Sequence, residues 1–310
     1  MARSYAIVGT GALGGYYGAK LHHAGLDVRF LLHSDYEHVR THGLRVEAKE
    51  GDLSIPTPQA YGNVHDLPPA DVTAVCLKTT QNHLLAELLP PLVRPDGVVL
   101  MMQNGLGIEA AAARVVPGRT ILGGLAFLCS NKLGPGHIHH LDYGDVRLGQ
   151  FAADDAPVGV TPIVQAVADD FTRAGITTVC EDDLVLARWR KLVWNMTYNG
   201  LCVVHACTTD VLMDDPAMRA HCEAIMWEVV AIAAAAGRTI EPAFVTIMLT
   251  ATEAMASYKP SMKLDHERGQ PLEIDAIYGA PLRAARASGV ACPLLEELYA
   301  ELQRIEGARS

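Results

Sequence analysis

A glycine-rich loop set between a strand and a helix limits this chain to fewer folds than any other feature. Gly9-Thr10-Gly11-Ala12-Leu13-Gly14 follows the apolar run Ser4 to Val8 and opens an amphipathic stretch over residues 12–24. In that setting the pattern predicts a dinucleotide-binding turn rather than a bare tight turn. Gly9 permits the sharp turn, Gly11 lets the backbone approach a pyrophosphate, and Gly14 lets the helix settle close to the sheet. The N–H groups and positive dipole end at the helix start then hold phosphate, with Thr10, Ala12 and Leu13 lining the loop. Gly25 is expected to end the helix as a C-cap.

The choice between nicotinamide cofactors turns on the end of the second strand, where a carboxylate would take the ribose 2′-hydroxyl of NAD. This chain offers His33-Ser34-Asp35 there. His33 and Ser34 can donate to a 2′-phosphate and Arg40 adds charge nearby, which favours NADP. Asp35 keeps NAD open, because a shift of one residue in the loop would bring its carboxylate to the ribose.

Short β-branched runs at residues 4–8, 27–32, 71–77, 98–102 and 121–125 alternate with helical stretches such as 12–24 and 83–93. That alternation predicts βαβ units and a parallel sheet covered on both faces. Residues 137–148 suggest a hairpin of two short strands about Asp142-Tyr143-Gly144, followed by a helix over 161–174 and a strand over 176–180. Beyond that the period is helical at 182–205, 218–236, 243–258, 272–288 and 294–306. The expected class is α/β, with a Rossmann-like dinucleotide-binding domain over residues 1–180 and an all-helical substrate domain over 181–310. Two domains suit a chain of 310 residues.

A formal charge of −10 opposes nucleic acid and anionic lipid, and the longest apolar run, 229–236, is far below the ~20 residues of a membrane span. Residues 1–4 lead straight into the first strand and leave no signal-peptide pattern, so a cytoplasmic protein is expected. The seven cysteines lack any Cys-x-x-Cys pair and are expected to be reduced and mostly buried. His137, His139 and His140 are expected to be solvated hairpin residues, and no metal is expected.

The chemistry is concentrated in Trp189-Arg190-Lys191-Leu192-Val193-Trp194-Asn195-Met196-Thr197-Tyr198-Asn199. Lys191, Asn195 and Asn199 recur every four residues and so share one helical stripe, flanked by large apolar side chains. Two readings stand: a buried lysine held by a structural carboxylate, or a proton donor whose amide neighbours hold a polar substrate.

Six motifs, in order, resemble the 2-dehydropantoate 2-reductase (ketopantoate reductase) family. They are the glycine loop, Leu77-Lys78-Thr79-Thr80-Gln81, Gln103-Asn104-Gly105-Leu106-Gly107, Trp189-Arg190-Lys191-Leu192, Ser261-Met262, and Glu273-Ile274-Asp275 with Gly279. The resemblance implies an NADPH-dependent reductase of a branched 2-oxo acid, acting in pantothenate biosynthesis, with both ligands in a cleft between the domains. It implies that Lys191 is the acid that protonates the carbonyl oxygen and that Glu273 binds and orients the substrate. Asn195, Asn199 and Ser261 would contact the substrate, Asn104 would sit where substrate meets the nicotinamide ribose, and Lys78 and Gln81 would line the cofactor side. Asp265, four residues after Ser261, either orients Lys191 electrostatically or solvates a helix face. Two positions depart from the family pattern: His33 stands where many members carry arginine, and Tyr278 where they often carry asparagine.

Hydride delivered to a carbonyl carbon leaves negative charge on oxygen, which an ammonium both stabilises and protonates. Burial would lower the lysine's ordinary value of ~10.4 and a carboxylate such as Glu273 or Asp265 would raise it, so the net sign stays open. Two other functions remain: a dehydrogenase for another 2- or 3-hydroxy acid, and a nicotinamide-binding sensor without activity. The partner expected is a small 2-oxo acid, and the sequence permits a homodimer.

Overall fold

The computed structural model describes residues 3–309. The chain divides into two compact units, one of Met1–Gln103 with Ile108–Leu184 and one of Asn104–Gly107 with Val185–Ser310.

The first unit runs β1 (Ser4–Val8), α1 (Ala12–His23), β2 (Asp27–Leu31), α2 (Tyr36–His42), β3 (Leu44–Ala48), β4 (Leu53–Ile55), β5 (Gln59–Tyr61) and β6 (Ala70–Val75). A 3₁₀ turn at Thr79–Leu84 follows, then α3 (Leu85–Leu92), β7 (Val93–Met101), α4 (Ile108–Val115), β8 (Thr120–Gly134), β9 (His137–Gln150), α5 (Pro162–Arg173) and β10 (Thr178–Cys180). The strands form one sheet in the order β4-β3-β9-β8-β7-β6-β1-β2-β5, with β10 beside β9. β5, β2, β1, β6, β7 and β8 are mutually parallel. Every residue of β1 is buried, as a central strand covered on both faces requires. Tyr5 and Ile7 pack on one face with Tyr17 and Leu21 of α1 and Phe171 of α5, while Ala6 and Val8 face the other way toward Leu92.

From β1 the chain steps outward to β2 and β5, and from β6 it steps the other way to β7 and β8. The order therefore reverses between β1 and β6, and the carboxyl ends of those two strands form the crevice where open α/β sheets bind ligands.

The hairpin lies elsewhere than the sequence suggests. β8 and β9 are 15 and 14 residues long and pair antiparallel, with the reversal at Pro135-Gly136. Asp142-Tyr143-Gly144 falls inside β9. The positive φ of Tyr143 (59°) and Gly144 (129°) serves a break in register opposite Phe127 to Ser130 rather than a turn. His140 is not solvated: it is 2% exposed, its ring lies tilted against that of Tyr16 with centroids 4.3 Å apart, and its Nε2 lies 2.8 Å from the Tyr143 carbonyl. Among the described residues no group of three or more His, Cys, Asp or Glu side chains is placed to hold a metal, and no helix is long and apolar enough to cross a membrane. All seven cysteines are free thiols. Cys202, Cys222 and Cys292 are buried and the other four are only partly so.

The second unit is helical: α6 (Leu184–Val204), α7 (Thr209–Asp214), α8 (Pro216–Ala235), α9 (Ala243–Glu253), α10 (Ser261–Glu267), α11 (Ala280–Ser288) and α12 (Pro293–Gly307). The stretch expected as one helix over 272–288 begins later, at Ile274, and its first turn, Asp275–Gly279, is a π-helical turn that runs on into α11. Trp189, Leu192, Val193 and Met196 of α6 join Ile225, Met226 and Val229 of α8 and Ile277 and Leu282 in a single core.

Candidate active site

At the end of β1 the chain turns through Gly9 with φ +95°. A Cβ there would lie 2.9 Å from the Leu77 backbone nitrogen, so glycine is what lets the loop pass beneath the end of β6. A Cβ on Gly14 would collide with the Gly9 carbonyl oxygen and come within 2.9 Å of Ile7, which fixes close helix-to-strand packing. Gly11 is different. Its φ is −85° and a Cβ there would meet no protein atom within 4 Å, so neither strain nor crowding inside the protein requires glycine. The α1 N-terminus also lacks a side-chain cap and any acidic residue in its first turn. An open cradle before uncapped N–H groups fits a pyrophosphate. The Thr10 hydroxyl donates to the Leu31 carbonyl at 3.2 Å and ties the loop to β2, and Leu13 packs on the core. Ala12 is half-buried in the first turn of α1.

His33 and Ser34 are exposed just past β2. Asp35 is not available to a ribose. It is 5% exposed, its Oδ2 accepts from the Gly136 N–H at 3.0 Å and pairs with Lys132 at 2.6 Å, and its Oδ1 accepts from the Ser34 hydroxyl at 3.2 Å. These donors, Lys132 foremost, outweigh burial and hold its carboxyl below the usual range. Its work is to anchor the β8–β9 reversal. Arg40 is exposed and paired with Glu37 at 2.8 Å. Lys78 is exposed at the head of the 3₁₀ turn that follows β6, and the Gln81 N–H donates to the Lys78 carbonyl at 2.9 Å.

In the second unit, α6 carries Lys191, Asn195 and Asn199 on one stripe. Asn195 is 7% and Asn199 1% exposed. Pro260 gives α10 no side-chain cap, and the Asn199 Oδ1 supplies the acceptor instead, taking the Met262 N–H at 3.1 Å. That bond fixes Ser261 relative to α6. Lys191 keeps part of its surface open, yet its ammonium is desolvated: burial first, then the positive charge of Arg188, lowers it from 10.5 to about 7, against the pull of Glu273. Glu273 is itself 5% exposed. Asp265 is half-buried on α10.

The loop holding Asn104 packs on the segment after Glu273. The Leu106 N–H donates to the Ala276 carbonyl at 3.0 Å, and a Cβ on Gly105, whose φ is +100°, would strike that peptide. Tyr278 does not line a pocket. It is fully buried, and its hydroxyl donates to the Met196 carbonyl at 2.7 Å. The turn after Glu273 is thereby fastened to the middle of α6.

Residues 5–153 match the ketopantoate reductase PanE/ApbA family, and residues 183–306 match its C-terminal part. The chain belongs to the ketopantoate reductase PanE/ApbA family. It is 52% identical over 305 residues to a 2-dehydropantoate 2-reductase of Nostoc sp. (strain PCC 7120), covering 98% of this chain and 96% of that one. A solved 2-dehydropantoate 2-reductase from Geobacter metallireducens superposes with TM-score 0.93 at 42% identity, over 97% of this chain and 99% of that one. A D-mandelate dehydrogenase solved with NADH and anilino(oxo)acetate superposes with TM-score 0.88 at 23% identity, covering 99% of both chains, a likeness of fold alone. The charge that the sequence reading passed over is Arg188, buried one helical turn before Lys191. Its spacing of three from Lys191 was the available signal.

Proposed function

We propose that this chain reduces 2-dehydropantoate to pantoate with NADPH, as a cytoplasmic enzyme. One observation carries the mechanism: a lysine that shares a helical stripe with two buried amides, where burial lowers its ammonium below the ordinary value. The chain's 52% identity along nearly its whole length to a 2-dehydropantoate 2-reductase supports the substrate.

Gly9, Gly11 and the first turn of α1 would hold the pyrophosphate, and Lys78 and Gln81 would line the cofactor side. With Asp35 engaged by Lys132 and Gly136, no carboxylate at the end of β2 competes for a 2′-hydroxyl, and His33 and Ser34 are left to meet a 2′-phosphate. The chemistry such a cofactor would supply when bound is a hydride for the carbonyl carbon. Lys191 stabilises the negative charge that grows on the carbonyl oxygen and then gives it a proton. An acid with a value near 7 is half protonated at neutral pH and releases its proton far more readily than an ordinary lysine. Glu273 would bind and orient the substrate, Asn195, Asn199 and Ser261 would contact it, Asn104 would sit where it meets the nicotinamide ribose, and the Asn199 bond to the Met262 N–H holds Ser261 in place. Asp265 supports that segment.

A screen of NADPH oxidation over a panel of 2-oxo acids tests this. The expected result is fastest turnover with 2-dehydropantoate. Equal weak rates on every acid would defeat the substrate, and NADPH binding without any oxidation would defeat the enzyme reading.

A further inference from the structure

Residues 188, 191, 195 and 199 of α6 are spaced by three, four and four, so Arg188 shares the stripe of Lys191, Asn195 and Asn199. It is 2% exposed, and water and salt therefore screen its charge poorly. A cation one turn from a buried ammonium disfavours the charged form of that lysine, where a carboxylate at the same position would favour it. Two of the charges that bear on Lys191 act in opposite senses. Arg188, on its own helix, disfavours the ammonium, and Glu273, at the head of the helix that starts at Ile274, favours it.

We propose that Arg188, buried one helical turn before Lys191 on the same stripe of α6, is a positioning residue whose positive charge favours release of the Lys191 proton. The proposal rests on the reading of Lys191 as the proton donor. Glu273 must lie close enough to orient substrate, and its negative charge alone would make Lys191 cling to its proton. Arg188 offsets that cost from the other side. The pair thus lets one carboxylate bind substrate without spoiling the acid beside it, and the downward displacement of Lys191, with Arg188 its largest cause after burial, agrees with this arrangement.

Lysine side-chain NMR of the full chain, with the Lys191 amine assigned by its loss in Lys191→Arg, reads the titration without substrate. The expected wild-type midpoint is about 7. Arg188→Gln and Arg188→Met each move it up by about one pH unit, and Glu273→Gln moves it down. Arg188→Lys, which keeps the charge and loses the guanidinium shape, returns it toward wild type. The alkaline limb of NADPH oxidation with 2-dehydropantoate moves by the same amounts. Two uncharged variants are used so that misfolding of one leaves the other to decide. A midpoint unmoved in the folded uncharged variant overturns the role of Arg188, whereas an inactive wild type with the midpoints displaced as stated would overturn the reductase reading instead.

Discussion

Replacing Lys191 with methionine should cost activity and increase stability, and the second effect follows directly from the site. Lowering the ammonium from 10.5 to about 7 means that the folded protein binds that proton more weakly than the unfolded chain. At about 1.4 kcal/mol per pH unit, 3.5 pH units amount to about 5 kcal/mol, an upper limit because water reaches the exposed part of the side chain. The sign is fixed by linkage. Below pH 7 the lysine is charged in both states and the full penalty weighs on the fold, between 7 and 10.5 it fades, and above 10.5 it is gone. Lys191→Met removes the penalty and keeps most of the apolar volume. Urea denaturation at pH 6 and pH 9 should therefore find the variant more stable at both. Its advantage should be larger at pH 6 by up to about 3 kcal/mol, the two pH units between about 7 and 9 taken at ~1.4 kcal/mol each. Turnover should fall by about 10²- to 10⁴-fold, the usual contribution of a positioned acid, with NADPH affinity nearly unchanged. A variant no more stable than wild type at pH 6, or one whose advantage is the same at both pH values, would refute the claim that this ammonium is desolvated.

The rate of wild-type reduction should decline about tenfold per pH unit above about 7, as the acid form of Lys191 is lost, and a profile flat to pH 9 would exclude it as donor. Gly11→Ala should leave the melting temperature nearly unchanged, since a Cβ there meets nothing within 4 Å, while weakening NADPH binding in a titration. Gly14→Ala, which collides with the Gly9 carbonyl, should lower the melting temperature as well. Asp35→Ala should destabilise by about 1–3 kcal/mol, because the Gly136 N–H and Lys132 lose a buried acceptor, and should leave the ratio of NADPH to NADH dissociation constants unaltered. A change in that ratio would return Asp35 to the ribose. Tyr278→Phe should cost about 1 kcal/mol of stability through the lost bond to Met196 and reduce turnover through Glu273, and full activity would deny that the bond positions the site.

What is legible in the sequence is what depends on near neighbours. The glycine loop makes its demands within six residues, and the α6 stripe follows from helical periodicity alone, so both stand out without a fold. Asp35 is the opposite case. Its partners Lys132 and Gly136 lie about a hundred residues away, and only the folded sheet brings them to it. Asp142-Tyr143-Gly144 carries the residue types of a turn, and its backbone does take up positive φ, but the long β8–β9 pairing absorbs it as an irregularity within a strand. β4 and β5 are three residues each, too short for any period to show. The direction of the Lys191 displacement was hidden for a related reason. Burial, Arg188 and Glu273 act in different senses, and their balance depends on depth and distance rather than on spacing in the chain.

The most direct measurement is the absorbance of NADPH on mixing with 2-dehydropantoate and wild-type or Lys191→Met enzyme at neutral pH. The account predicts rapid, substrate-dependent oxidation by the wild type and near-complete loss in the variant, although both bind NADPH equally well. A Lys191→Met enzyme that oxidises NADPH at the wild-type rate would contradict it.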